Sequence, residues 1–451
     1  MTRPVTSIRA AETARTGEEI SADRLYAKVG RRLLPLLGLL YLVSYLDRSN
    51  IAFAAPNGMN EALNLSSSAF GLASGIFFLG YSLVEVPSNM ALRRFGARAW
   101  LVRILVSWGV VATLTAFVTS AGQLQIARLL LGVAEAGCLP GIVFYLTLWL
   151  PKNVRTRMMA GFFVALPLST ALGAPLSGLI VQHADGLAGL PGWRAMFLLE
   201  GIPALLLAIV VWRALPDGPR EARWLTDAER DWLLDRVAED TPEPERRPRR
   251  GGWFTPRTLA LGIAYFGIVY GLYALSFFLP TIIAGFQGGR RPRVLHRGAR
   301  FDQRRAVRAG RRRDAAVGQA GAARAGRPLD GGAAGGARRG DRADRPVHGR
   351  PPLVTMIVIS VCAVGVLSAI PVFWALPTAM LGKESAAAGI ALVNTIGSLG
   401  GFAAPYFTGW LKDWTGSVRP GLWLTGGLLV CSALIVTALR RGAPRTAAEV
   451  R

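Results

Sequence analysis

Blocks of about twenty predominantly apolar residues recur along the chain, separated by short polar connections. A helix of that length crosses roughly 30 Å of hydrocarbon. The pattern predicts spans at 32–53, 68–89, 99–120, 124–149, 158–182 and 195–215, then at 258–286, 353–381, 386–410 and 421–439. A long polar stretch, 216–257, separates the first six from the last four. Basic residues mark the cytoplasmic side of a membrane chain. Arg31 and Arg32, the loop RRFGAR (93–98), KNVRTR (152–157) and the 216–257 stretch all fall on one side when the first six spans alternate. The terminal ALRRGAPR joins them if an even number of spans follows the polar stretch, so both termini are predicted to be cytoplasmic. The first 30 residues are polar and of mixed charge, without a short apolar core and small-residue cleavage site, so the first span is expected to act as its own insertion signal.

The polar stretch carries a signal of its own. In WLTDAERDWLLDRVAED, Thr226 and Glu229 have capping-box spacing. Trp224, Leu225, Trp232, Leu233 and Val237 would then share one apolar stripe. A short helix lying along the cytoplasmic face is expected there. The organisation read from the sequence is therefore a tail at 1–30, a first bundle at 31–215, a linker at 216–257, a second bundle at 258–440 and a tail at 441–451.

Composition agrees with a polytopic membrane protein: 51% of the 451 residues are hydrophobic and 18% charged. The net charge of +24 changes meaning once it is located. Eighteen arginines against five acids lie in 289–350, which supplies more than half of the excess. That segment has no Ile, Trp, Tyr or Lys and is dominated by Arg, Gly, Ala and Pro, the composition of a GC-rich gene translated in another frame. By alternation it would also begin and end on the outer side, against the charge rule. We read the anomalous region, 288–351, as two compensating frame errors that replaced two spans and their loop, a reading that resequencing the locus decides. The alternative is a genuine basic insert that binds anionic lipid or nucleic acid. Apart from that segment, nothing in the charge distribution points to nucleic acid. Cys138, Cys362 and Cys431 all lie in apolar runs without metal or redox spacing, and buried thiols are expected. The lone His183 makes no metal site. No phosphate loop, metal cluster or nucleophile elbow is present, so neither an enzyme nor a cofactor is expected.

Candidate chemistry lies where charge enters the apolar blocks. The stretch YLVSYLDRSNIAFA (41–54) holds Asp47 and Arg48 side by side, each costing roughly 2.5–3.5 kcal/mol at the centre of a span. The fourth span holds Arg128 and Glu135, seven residues and two helical turns apart, hence on one face. Asp47 and Arg48 stand about 100° apart on their helix, so one can face a cavity while the other faces a neighbouring helix. An organic anion at this depth needs a cation, and arginine offers a carboxylate two parallel hydrogen bonds. Proton coupling needs acids whose affinity for protons changes as a site opens and closes. A purely structural charge network is the competing reading. Tyr45 and Tyr81 are secondary candidates to donate to a substrate. Glu85 is expected to meet Arg93 or Arg94 at a span end, and Glu200 in FLLEGIP stays ambiguous. Pro167, Gly173, Pro175, Gly397, Gly400, Gly401 and Pro405 allow bends and close helix approach.

Six spans, a linker and a second half with room for six resemble the major facilitator superfamily. The run ARLLLGVAEAGCLPGIVFYLTLWLP (127–151) resembles its fourth helix, and NMALRRFGARAW (89–100) its gate loop, with Arg93 where an Asp is usual. Together with YLDRSNIAFA and VFWALPTAMLGKESAAAGIALVNTIGSLGGFAAPYFTGWLKDWTG, these motifs look like the anion:cation symporter family within that superfamily, which includes tartrate, galactonate and phthalate transporters. The resemblance implies twelve helices in two pseudo-symmetric six-helix bundles, of which ten are readable, in a monomer of the inner membrane. It implies proton-coupled uptake of a small organic anion, such as a sugar acid, dicarboxylate or aromatic carboxylate, by alternating access, with the proton as coupling ion. By the same resemblance, Asp47 and Glu135 take up protons, Arg48 binds the substrate carboxylate and Arg128 sits nearby. Trp374 and Asn394 fall in stretches that line the cavity in relatives. An efflux antiporter, or a non-functional frame-shifted product, is the alternative.

Overall fold

The computed structural model describes residues 21–239, 254–288, 352–380 and 386–441. The segment 289–350, read above as frame-shifted, lies outside the described residues, as do 1–20 and 442–451; the first helix begins at Ala22, inside the stretch read as a tail to residue 30. The described residues are helical and contain no strand. All contacts described below lie in one compact unit, Met1–Thr281 with Ile357–Arg451; a second unit, Ile282–Met356, is described only at its ends.

The helices are α1 (Ala22–Ala54), α2 (Ser67–Phe95), α3 (Ala97–Leu114), α4 (Ala121–Glu135), α5 (Cys138–Thr147), α6 (Lys152–Phe163), α7 (Ala165–His183), α8 (Gly192–Ala214), α9 (Asp227–Glu239), α10 (Pro256–Gly288), α11 (Pro352–Met380), α12 (Ala386–Thr415) and α13 (Arg419–Arg441). Nine stretches among the described residues are long and apolar enough to cross a membrane, and the 29-residue α11 is the further long helix read from the sequence. Large apolar side chains stand exposed on these helices, Leu83, Met90, Trp414 and Trp423 among them. Water does not tolerate such a surface over a whole bundle; hydrocarbon does.

Two spans are not the single rods the hydropathy pattern predicts. The fourth breaks at Ala136–Gly137, where Gly137 has φ +86°. A side chain there would meet Ser88 Oγ at 2.4 Å. Ser88 Oγ instead donates to Ala136 O at 2.6 Å and accepts from Trp100 Nε1 at 2.9 Å, which fixes the break. The fifth span turns at Val164 between α6 and α7.

Small residues set the helix spacing. A Cβ on Gly132 would lie 2.0 Å from Phe77 O, and one on Gly80 would lie 2.5 Å from Leu129 O, so α2 and α4 meet backbone to backbone. On α12, Phe402 O and Pro405 O approach Gly75 and Gly71 of α2 just as closely. That contact ends in a latch. Asp413 accepts hydrogen bonds from Ser67 N (2.9 Å), Ser68 N (2.7 Å) and Ser68 Oγ (2.5 Å). A carboxylate thus caps the positive N-terminus of α2 from another helix.

The opposite, basic end is held by the linker. Thr226 N donates to Glu229 Oε2 (2.9 Å) and Glu229 N to Thr226 Oγ1 (3.2 Å), the reciprocal box that the spacing predicted. Glu229 also takes two hydrogen bonds from Lys28 Nζ, at 2.7 and 2.9 Å. Desolvation pushes the Glu229 carboxyl upward in pKa, but the Lys28 and Thr226 hydrogen bonds outweigh it and hold the group below its ordinary range. Leu225 and Leu233 are buried, Trp224 stacks on Trp149 and Trp232 packs on Tyr26. Asp217 accepts from Arg98 N at 2.7 Å and pairs with the Arg98 guanidinium at 3.4 Å. With Arg93 in the gate loop, the acid at the start of α3 comes from the linker instead, a source the loop sequence gave no sign of.

Cys138 is buried as expected, but Cys362 and Cys431 are exposed. The outer surface of a membrane bundle is as apolar as its interior, so hydropathy alone could not separate the two cases.

Candidate functional site

The break after Glu135 places that carboxyl at the end of α4, with side-chain exposure of 0%. It forms an ion pair with the Arg48 guanidinium of α1 through Nη2 and Oε1. Ser44, one turn earlier on α1, donates to the same oxygen at 2.6 Å. Arg48 therefore turns toward α4, and its Nη1 also donates to Tyr273 Oη of α10 at 3.4 Å. Around its guanidinium stand the rings of Phe77 (5.0 Å), Tyr81 (5.5 Å) and Tyr45 (5.9 Å). These faces hold a cation through their quadrupoles where water cannot.

Arg128 enters the same locus from two turns away on α4 and is fully buried. Its Nη2 donates to Arg48 O at 3.1 Å, and its guanidinium lies 5.3 Å from the Phe77 ring. The Gly80–Gly132 approach lets Phe77 sit beneath both arginines. The donors are not exhausted: Arg48 Nε, Arg128 Nε and Nη1, and the acceptor Glu135 Oε2, are buried without a hydrogen-bond partner. Buried unpartnered N–H groups on two cations are costly unless something anionic completes them.

Asp47 points elsewhere on α1. Its Oδ2 accepts from Trp108 Nε1 of α3 at 2.7 Å, and its Oδ1 from Asn50 Nδ2 at 3.1 Å. The two neighbours in sequence thus face different helices, with Arg48 toward α4 and α10 and Asp47 against α3. Trp374 donates to Tyr265 Oη at 3.3 Å, and Asn394 is half-buried on α12. Both lie on helices outside the arginine cluster, and no hydrogen bond joins them to it among the described residues. Glu85 does not pair with Arg93 or Arg94. Those two stack on Phe144 and Phe95, while Glu85 lies within electrostatic reach of Arg48. An α-helix directs residues three and four apart along one face, so Glu85 and Tyr81 both turn inward. Ser44, Phe77, Trp108 and Tyr273 were not singled out from the sequence. Ser, Phe and Trp in a span carry no polar cost signal comparable to a charge, and Tyr273 meets Arg48 across 225 residues.

An all-helical, lipid-compatible bundle with two arginines and several carboxyls at its core is that of a multi-pass membrane protein. The family model of the Major Facilitator Superfamily matches residues 37–292, and the chain belongs to that family. It is 40% identical over 444 residues to an Agrobacterium vitis protein named "Putative tartrate transporter", covering 95% of this chain and 94% of the relative. It is 36% identical over 446 residues to the Pseudomonas putida "Putative metabolite transport protein NicT", covering 95% and 97%. Among solved structures, the inward open conformation of the xylose transporter XylE from E. coli matches with a TM-score of 0.65 at 14% identity, over 92% of this chain and 97% of that one. That likeness is one of fold.

Proposed function

We propose that this protein is a proton-coupled importer of a small dicarboxylate or sugar acid, with tartrate the first substrate to test. The observation that carries the reading is the pair of arginines with three buried, unpartnered N–H donors, Arg48 Nε and Arg128 Nε and Nη1, beside one carboxyl. A substrate carboxylate completes those donors, and the relatives' names point to the same chemistry. In this reading Arg48 is the principal anion ligand and Arg128 supports it. Tyr45 and Tyr81 flank the bound anion; Trp374 and Asn394 bound the cavity from the second half. Glu135 and Asp47 exchange protons with the two sides of the inner membrane.

Coupling follows from competition for Arg48. In the present state Glu135 occupies its guanidinium. A protonated Glu135 releases it to the substrate, and the two cargoes then move together. Alternating access requires two ends that open in turn. The α2–α12 approach with its Asp413 latch closes one; the linker, on the basic and therefore cytoplasmic side, spans the other. The proton is the coupling ion and the unit is a monomer.

Uptake of radiolabelled tartrate into right-side-out vesicles tests the reading. Accumulation that rises with an imposed inward proton gradient is expected. Tartrate accumulation indifferent to that gradient refutes symport, and efflux driven by the gradient favours the antiporter.

A further inference from the structure

We propose that Glu200 of α8 is a third proton-binding residue, which carries its proton while Arg48 and Glu135 are paired. The proposal rests on the proton-coupled reading for its purpose, but not for its test. Three carboxyls and two guanidiniums cluster here: Asp47 (1% exposed), Glu135 (0%), Glu200 (5%), Arg128 (0%) and Arg48, whose side chain is 14% exposed. A low-dielectric bundle does not hold an unbalanced charge, so one acid must be neutral. Geometry distinguishes them. Glu135 has Arg48 and the Ser44 hydroxyl. Asp47 has a donor on each oxygen, from Trp108 and Asn50.

Glu200 has less. Ser177 Oγ of α7 donates to its Oε1 at 2.7 Å, and its Oε2 is buried without a partner. No cation forms an ion pair with it among the described residues. The Asn50 amide of α1 stands within hydrogen-bonding reach of it, but Asn50 Nδ2 already donates to Asp47 Oδ1. Glu200 Oε2 is thus a buried acceptor that no ion pair balances. A proton on the Glu200 carboxyl removes the charge that a single hydroxyl donor leaves uncompensated.

Among the described residues, no neighbouring charged or indole group makes a hydrogen bond to Glu200. On α3, Trp108 Nε1 is spent on Asp47. On α8 itself, Arg194 is spent on Ala116 O and Val118 O at 2.6 and 2.7 Å. On α7, His183 contacts Leu179 O at the exposed end of the helix. From α4, Arg128 donates to Arg48 O and Glu135 pairs with the Arg48 guanidinium. Asn50 stands between two acids, donating to Asp47 and lying beside Glu200. Loss of the proton from one alters the field at the other, so the α1–α8 contact reports the state of the arginine cluster.

Infrared difference spectroscopy on the purified full chain in lipid, without substrate, tests this directly. The wild type is expected to show the carbonyl stretch of a buried protonated carboxylic acid near neutral pH. Glu200→Gln should lose that band, while Asp47→Asn and Glu135→Gln keep it. Asn50→Leu should shift it, because a neighbouring hydrogen-bonding amide is gone. Gln at 200 keeps the size and an acceptor for Ser177 Oγ, so the variant is expected to fold, which thermal unfolding checks. A band unchanged in Glu200→Gln, or absent from the wild type, overturns the proposal. Tartrate uptake is a separate readout: its absence with the band present condemns the substrate assignment, not the proton site.

Discussion

The first and second halves of the bundle are equally apolar in outline but differ in what they bury. Helices α1 to α8 enclose Asp47, Arg128, Glu135 and Glu200. Among the described residues of α10 to α13, the buried polar side chains are Thr258, Thr408, Thr425 and Ser432, and none is charged. What the second half brings to the centre is aromatic: Tyr265, Tyr270, Tyr273, Phe277 and Phe373 are buried or nearly so, and Tyr273 alone of these reaches Arg48 with its hydroxyl. One half thus holds the charge chemistry, and the other supplies a wall that can slide over it. A wall of rings and glycine contacts makes few directional bonds, so moving it costs little beyond packing.

The sharpest way to break this asymmetry is to empty the charged half. Arg48→Ala leaves Glu135 buried without its cation, at an expected cost of about 3–5 kcal/mol in stability. Tartrate uptake should fall to background. The double variant Arg48→Ala with Glu135→Gln should regain most of the stability but none of the uptake, since the anion ligand is still missing. Recovered transport in the double variant would show that Arg48 serves only to neutralise Glu135. Glu135→Gln alone should leave Arg48 free for substrate, so exchange of internal for external tartrate persists while gradient-driven accumulation stops.

Packing sets the next effect. Gly132→Ala drives a methyl group to 2.0 Å from Phe77 O and must part α2 from α4, at about 1–3 kcal/mol. Gly427→Ala on α13 meets nothing within 4 Å and is expected to be neutral or slightly stabilising. Thermal unfolding of the two variants compares the tight half with the open one. A Gly132→Ala protein as stable as the wild type would mean that the charged cluster does not depend on that spacing.

Much of this was legible before any coordinates. A charge inside an apolar block carries a cost that a reader can see, and Asp47, Arg48, Arg128 and Glu135 stood out for that reason. The capping box at Thr226 and Glu229 was legible too, because its partners are three residues apart. What escaped was contact between distant elements and departures from helical regularity. The break at Gly137 is coded by Ser88, 49 residues earlier, and glycine in a membrane helix has many other uses. Glu200 looked ambiguous because its hydroxyl donor, Ser177, lies on another helix 23 residues earlier. Glu85 looked like an end-of-helix acid because position along a span does not say which way the side chain turns.

The Asp413 latch offers a smaller test. Asp413→Ala removes three acceptor contacts at the N-terminus of α2, worth about 1 kcal/mol as a cap. The expected result is a several-fold shift toward the state open at that end, with overall stability little changed. A cysteine introduced at Ser67 should then react faster with an impermeant thiol reagent in the Asp413→Ala background than with Asp413 present. Equal labelling would mean that the glycine contacts of α12 close that end unaided.

The smallest expected effect concerns the linker, which packs on the basic end of the first half and makes no bond to the arginine cluster among the described residues. Thr226→Ala removes one arm of the capping box and should cost about 0.5–1 kcal/mol, measured as a lowered unfolding midpoint with uptake retained. The pH dependence has a definite sign. Glu229 titrates below its ordinary value in the folded protein, so its hydrogen bonds with Lys28 and Thr226 stabilise the docked linker above the usual carboxylate pKa of about 4.3. That contribution is lost as the pH falls through the depressed folded value. Lys28→Met should abolish most of this acid-side loss and leave the box itself in place. If Lys28→Met instead changes gradient-driven uptake near neutral pH, the linker takes part in the transport cycle, and the division of labour between the two halves is incomplete without it.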